Sequence, residues 1–198
     1  MSGSKTALRD QVLTERNRLT PAELSASAVA LSEHLLATPQ VRRAASVAAY
    51  VSVGREPGTG LLLDGLRAAG KRVLLPVLLA DNDLDWAAYD GPLAPAGRGL
   101  LEPTGPRLGA DAIATCDVVL VPGIAVGSDG MRLGRGGGSY DRALSRVPVG
   151  TFTCVLLHEH EVLDRVPAEA HDRPVTAVAT PAGVRRLPLP TSHPGMPK

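Results

Sequence analysis

The 198-residue chain carries 21 Lys and Arg against 20 Asp and Glu, a formal net charge of +1, and only 3% of it is aromatic. So weak a field attracts neither nucleic acid nor an anionic membrane, and few rings are present to stack on bases, so small-molecule partners are expected. The length suits one α/β domain, no apolar run reaches the ~18 residues of a membrane span, and Met1-Ser-Gly-Ser-Lys5 has no apolar segment of signal-peptide type. A soluble, cytoplasmic protein, monomeric or weakly dimeric, is expected.

From Lys5 to Arg18 the spacing is helical, with Leu8, Val12 and Leu19 near one side. Lys5, Arg9 and Arg16 form a basic row beside that stripe, which by spacing alone is the pattern of a solvated helix face. Thr20-Pro-Ala-Glu23 offers a hydroxyl cap, a first-turn proline and a carboxylate three residues beyond the cap, and so opens a second helix. Its apolar face is Leu24, Ala28, Leu31 and Leu35, and Pro39 marks its end. Ser46 to Val53 is β-branched and apolar and predicts a strand; a loop from Gly54 to Gly60, a helix from Leu61 to Ala69 and a second strand from Lys71 to Leu78 complete a βαβ unit. Its strands should be parallel, and ligands of such sheets sit beyond the carboxyl ends, where the loop glutamate Glu56 lies.

Leu84 to Tyr89 predicts a shorter strand with Trp86 as a packing residue, and the Pro- and Gly-rich stretch from Gly91 to Gly109 should wrap the surface. Further strands are expected around Val118, over Thr151 to Leu157 and, as the last one, over Val175 to Thr180. His158-Glu-His-Glu161 follows one of them; without a third ligand nearby it reads as an exposed strand end, not a zinc site. Cys116 and Cys154 lack metal-ligand spacing and sit in or beside apolar runs, where cysteine acts as a small hydrophobe. The alternation of helices and strands predicts a three-layer α/β/α sandwich with a mostly parallel, Rossmann-like sheet over residues 1–184, and the proline-rich residues 185–198 are expected to be a disordered tail.

The most informative stretch is Val121 to Asp141. An apolar run enters it, a helix starting at Tyr140 leaves it, and between them stand seven glycines with Arg132, Arg135, Asp129 and Asp141. Tight backbone and forked guanidinium donors suit a phosphate group. Neither the Walker loop nor the strict dinucleotide fingerprint is present, since no G-x-x-x-x-G-K-[ST] occurs and Ser139 stands where the fingerprint needs glycine. A carboxylate beside a phosphate site, such as Asp141, either holds a magnesium ion or stabilises the start of the helix.

Val121-Pro-Gly-Ile-Ala125 followed by Asp129-Gly-Met-Arg132-Leu-Gly-Arg-Gly-Gly-Gly-Ser-Tyr-Asp141 resembles the signature of the 5-formyltetrahydrofolate cyclo-ligase family. Lys5-x-x-x-Arg9, Glu56-x-x-Thr59, Leu101-Glu-Pro103 and Pro167-x-x-x-His171-Asp172 resemble further family elements in the same order. The resemblance implies ATP- and magnesium-dependent closure of 5-formyltetrahydrofolate to 5,10-methenyltetrahydrofolate, in which the formyl oxygen attacks the γ-phosphate, N10 attacks the activated carbon and phosphate leaves. It implies ATP contacts from Lys5, Arg9, Arg132, Leu133, Gly134, Arg135, Gly136, Gly137, Gly138, Ser139 and Tyr140. Val51, Glu56, Arg135 and Tyr140 would meet the folate, Asp141 would hold Mg2+, and Arg132, Arg135 and Tyr140 would serve the chemistry. Three positions depart from the family pattern: Ser139 replaces a tyrosine, Thr176 an aspartate described as a second magnesium carboxylate, and Val126 a phenylalanine. A relative that binds folate or nucleotide without turnover, and a sugar-phosphate isomerase or CoA-transferase-like enzyme on a similar sheet, are the alternative readings.

Overall fold

In the computed structural model, which describes residues 2–188, the first helix (α1, Ser2–Arg16) is followed by α2 (Pro21–Ala37) and the short α3 (Pro39–Arg43). The capping box read from the sequence is formed: Thr20 N–H donates to Glu23 Oε2 (2.7 Å) and Glu23 N–H to Thr20 Oγ1 (3.3 Å). Pro39 ends α2 and begins α3 as its first residue, a position where its missing N–H is not needed. Strand β1 (Ser46–Ala48), helix α4 (Gly60–Ala68) and strand β2 (Arg72–Leu78) form the expected parallel βαβ unit, and β3 (Leu84–Ala88) returns antiparallel to β2. A small hairpin of β4 (Leu93–Pro95) and β5 (Leu101–Pro103) occupies the stretch expected only to wrap the surface.

The second half holds β6 (Val118–Pro122), a hairpin of β7 (Ala125–Val126) and β8 (Arg132–Leu133), helix α5 (Ser139–Ser145), and strands β9 (Phe152–Leu156), β10 (Ala177–Thr180) and β11 (Gly183–Arg186). One seven-stranded sheet has the order β11-β10-β9-β6-β1-β2-β3, parallel except at its two edge strands. Alternation along the strands divides the core. Val47, Val118, Leu120, Cys154, Leu156 and Ala179 face a layer that contains Leu31, Leu35, Val41, Leu62 and Leu66 of α2, α3 and α4. Ala48, Val119, Val121, Val155 and Val178 face the other layer, with Ala143 and Leu144 of α5, Ile113 and the fully buried Trp86. The α/β/α architecture is therefore as expected.

Three details differ from the expectation. Strand β1 stops at Ala48, not Val53, because Tyr50 to Val53 leave the sheet: Ser52 and Thr59 bond each other across the loop, and Glu56 Oε2 accepts from Val53 N–H at 2.9 Å. The strand ending at Thr180 is not the last, since β11 pairs with it, runs across the expected boundary at residue 184, and is followed by buried Leu187. Residues 189–198 of the expected tail lie outside the described residues. His158 and Glu161 are not an exposed strand end; they bound a 3-10 turn and are 4% and 0% exposed.

Helix α1 packs on neither sheet layer. Its Val12 joins Ile124, Ala125, Leu133 and Val166 in a separate cluster around the β7–β8 hairpin, beyond the carboxyl end of β6. The basic row is turned inward as well. Arg16 Nε lies 2.5 Å from Glu161 Oε1 and its Nη2 donates to Gly123 O at 2.8 Å, while Glu161 Oε2 accepts from His158 N–H at 2.9 Å. Arg16 and Glu161 are shut off from solvent, so removing one partner leaves a buried charge uncompensated. Glu161→Ala is expected to destabilise the fold by about 3–5 kcal/mol in urea titration; a loss below about 1 kcal/mol would mean that the pair does not anchor α1.

Candidate active site

The carboxyl ends of β1 and β6 open on a cleft of ≈ 1120 Å³. Its size exceeds the roughly 300–1,000 Å³ typical of a pocket for one small molecule and suits two ligands side by side. Gly134 to Gly138, Lys5, Arg9 and Asp141 line one part; Val51, Val53, Leu78, Leu84, Leu100 and Leu101 give an apolar part. Two left-handed glycines shape the loop: Gly136 at φ +103° and Gly138 at φ +70°, where the chain turns into α5. Arg142 holds this turn from behind by donating to Gly137 O (3.2 Å) and to Asn82 O (2.7 Å). Arg9 Nε donates to Gly134 O at 2.8 Å, and its guanidinium lies over Gly136, so α1 closes on the loop.

Every residue expected at the site lines this cleft except Glu56, which stands just behind the wall, 8% exposed. The two loop arginines are both held by carboxylates. Arg132 is buried and donates through Nη2 to Asp141 Oδ1 (3.0 Å) and through Nη1 to Pro122 O (3.3 Å), with its guanidinium 6.0 Å from the Tyr140 ring centre. Arg135 is exposed and donates from Nε and Nη2 to Glu56 Oε1 at 3.2 and 2.9 Å. Through that pair the glycine-rich loop touches the loop after β1. Burial, then the charge of Glu56, raises the Tyr140 phenol above its ordinary pKa, with Arg132 opposing, so the hydroxyl stays protonated.

Asp141 Oδ1 also accepts from Arg173 N–H at 3.2 Å, while among the described residues Oδ2 accepts no hydrogen bond. No group of three or more His, Cys, Asp and Glu among the described residues could hold a metal by itself. The donor set suits a magnesium ion carried by one carboxylate together with ligand phosphates and water. Thr176, where the resemblance implied a second carboxylate, is engaged elsewhere: its hydroxyl donates to Thr153 O (2.9 Å) and accepts from Thr153 N–H (3.0 Å), where β9 and β10 begin.

Lys5 Nζ lies 2.7 Å from Asp172 Oδ2 and 3.2 Å from Glu169 Oε2, which ties α1 to the late loop. Sequence spacing gave no sign of Glu169. Burial alone would lower the Lys5 pKa, but its bonds to Asp172 and Glu169 outweigh this and hold it above 10.5. Burial would likewise raise the Asp172 carboxyl, but the Lys5 bond, the Glu169 N–H and the charges of Lys5 and His171 bring it below 3.8. A depressed acid stabilises the fold above its unfolded value and loses that contribution as pH falls through the folded one. The tie is therefore complete from about pH 4 to about pH 10 and is lost as Asp172 protonates below that window. Asp172→Asn is expected to flatten the fall in urea-unfolding stability between about pH 5 and about pH 2; identical acid slopes would refute the tie.

A model of the 5-formyltetrahydrofolate cyclo-ligase family matches residues 1–181. A 5-formyltetrahydrofolate cyclo-ligase of Mycolicibacterium smegmatis is 42% identical over 186 residues, covering 90% of this chain and 94% of that protein. The enzyme of the same name from Escherichia coli K12 is 32% identical over 180 residues, with 85% and 96% covered. The solved structure of Aquifex aeolicus 5,10-methenyltetrahydrofolate synthetase superposes with a TM-score of 0.79 at 28% identity, covering 97% of this chain and 99% of that one. Its glycine-rich loop and inward-facing α1 stand beside one large cleft, and the chain belongs to the 5-formyltetrahydrofolate cyclo-ligase family.

Proposed function

We propose that the chain is an ATP-dependent enzyme that closes 5-formyltetrahydrofolate to 5,10-methenyltetrahydrofolate and releases ADP and phosphate. The observation that carries this reading is a cleft lined by both the glycine-rich loop and the loop after β1, which the Arg135–Glu56 pair joins. A formyl amide oxygen is a poor leaving group in water, and transfer of the γ-phosphoryl group of ATP onto it, with ADP leaving, makes it a good one. The site must therefore hold a phosphate donor and the folate in contact, away from water.

In this reading the glycine-rich loop, Arg9 and Lys5 hold the triphosphate of ATP. Leu133 and the half-buried Ser139 and Tyr140 complete that wall. Val51 and the apolar residues around it face the folate, whose ring donors are met by Glu56. Binding then exchanges partners: a ligand donor on Glu56 frees Arg135 for developing phosphate charge, and Arg132, with its Nε unpaired in the interior, gains an acceptor. The protonated Tyr140 is a donor at the same point. Magnesium, when bound, would supply charge neutralisation between the phosphates and Asp141.

Purified protein with 5-formyltetrahydrofolate, ATP and Mg2+ is expected to develop the near-ultraviolet absorbance of the methenyl product. Folate binding without any product would instead select the non-catalytic reading. Asp141→Asn keeps an acceptor for Arg132 and Arg173 but loses the charge that magnesium needs. It should lower kcat on the order of 10²-fold with folding intact, and wild-type turnover in that variant would remove Asp141 from the metal site. Replacement of Arg9 by Ala should raise the KM for ATP about tenfold or more, and an unchanged value would leave Arg9 a structural role alone.

A further inference from the structure

Four buried side-chain polar atoms among the described residues have no hydrogen-bond partner: Arg16 Nη1, Tyr50 OH, Arg132 Nε and Trp86 Nε1. The first three belong to residues that line the same cleft. Buried polar groups are normally paired, and each that is not costs free energy until something meets it, so three in one wall mark where a ligand is read. Arg132 belongs to the loop already described. Arg16 and Tyr50 do not, and they are 2% and 3% exposed. Tyr50 stands two residues past β1, and Arg16 is clamped to Gly123 one residue past β6. Both residues line the cleft beyond the carboxyl ends of the two central strands.

The local charges decide what such a pair can take. Arg16 is already neutralised by Glu161 at 2.5 Å, and Glu56 by Arg135 at 2.9 Å. After burial, the charge of Glu56 is the largest influence holding the Tyr50 phenol protonated, and Glu161 acts in the same direction. A phosphate would meet two carboxylates there and no free cation. A neutral acceptor would meet one guanidinium N–H and one hydroxyl. The Arg135 side of the Glu56 ion pair is 61% exposed, so a ligand can compete for Glu56, whose charge acts on Tyr50.

Resting on the activity proposed above, we propose that Arg16 Nη1 and Tyr50 OH form a donor pair that receives a neutral carbonyl oxygen of the reduced folate, and that they fix its position relative to ATP. The carbonyl belongs either to the pterin ring or to the formyl group. The test is calorimetric titration of the full chain, without ATP, by 5-formyltetrahydrofolate and by tetrahydrofolate. Tyr50→Phe removes a hydroxyl with no partner in the free protein, so its melting temperature should not fall. Its affinity for 5-formyltetrahydrofolate should fall about tenfold while that for ATP is unchanged. A tenfold loss toward tetrahydrofolate too assigns the pterin carbonyl; a loss confined to the formyl compound assigns the formyl oxygen. The paired replacement Arg16→Met with Glu161→Met, which leaves no buried charge alone but also releases the end of α1, should weaken folate binding at least as much. Unchanged folate affinity in Tyr50→Phe, or a loss of ATP affinity in its place, would overturn the proposal. A wild-type chain that binds no reduced folate would overturn the activity itself.

Discussion

The buried pair between Arg16 and Glu161 is the constraint on which the site depends. A parallel sheet ends its central strands on one side and leaves their carboxyl ends open, and in this protein α1 covers them, attached by the Arg16–Glu161 and Lys5–Asp172 ion pairs and a small apolar cluster. Once Arg16 is fixed to Glu161 and Gly123, helical spacing carries Arg9 over the glycine-rich loop and Lys5 to Asp172. The same turn that supplies Glu161 holds His158. Because Nε2 of that histidine faces Arg55 O, it carries the proton, and Nδ1 accepts from Ser27 Oγ at 3.3 Å. Burial lowers its pKa and keeps it neutral, so the turn also steadies the loop that contains Glu56.

A second feature is that three cations of the site stand in ion pairs. Arg132 sits on Asp141, Arg135 on Glu56 and Lys5 on Asp172, each within 3.0 Å. Such pairing keeps charge compensated in the free protein and makes ligand binding an exchange of partners. The buried and exposed members differ in consequence. Arg132 cannot leave Asp141 without remaining buried, whereas the exposed Arg135 can turn toward solvent or ligand at little cost.

Much of this was legible in the sequence. The capping box at Thr20, the βαβ unit and the β6 run rest on local spacing, and all three are formed, although the first strand of the unit is shorter than its apolar run. The glycine-rich loop was readable because conformation there demands glycine, as at Gly136 and Gly138. What was hidden depends on pairs far apart in the chain. Arg16 finds Glu161 across 145 residues and Lys5 finds Asp172 across 167, so a row read as a solvated face became the inner wall of the site. Tyr50 continued an apolar run and gave no local sign that the strand stops before it. The β4–β5 hairpin was masked by its prolines, although it brings Leu101 to the cleft.

In the proposed reaction one cleft couples a phosphate donor to the folate. Simultaneous measurement of inorganic phosphate and methenyl product tests it most directly. The two are expected to appear in equal amounts, with no phosphate release when the folate is left out. Phosphate released at the same rate without folate, or methenyl product formed without phosphate, would contradict it.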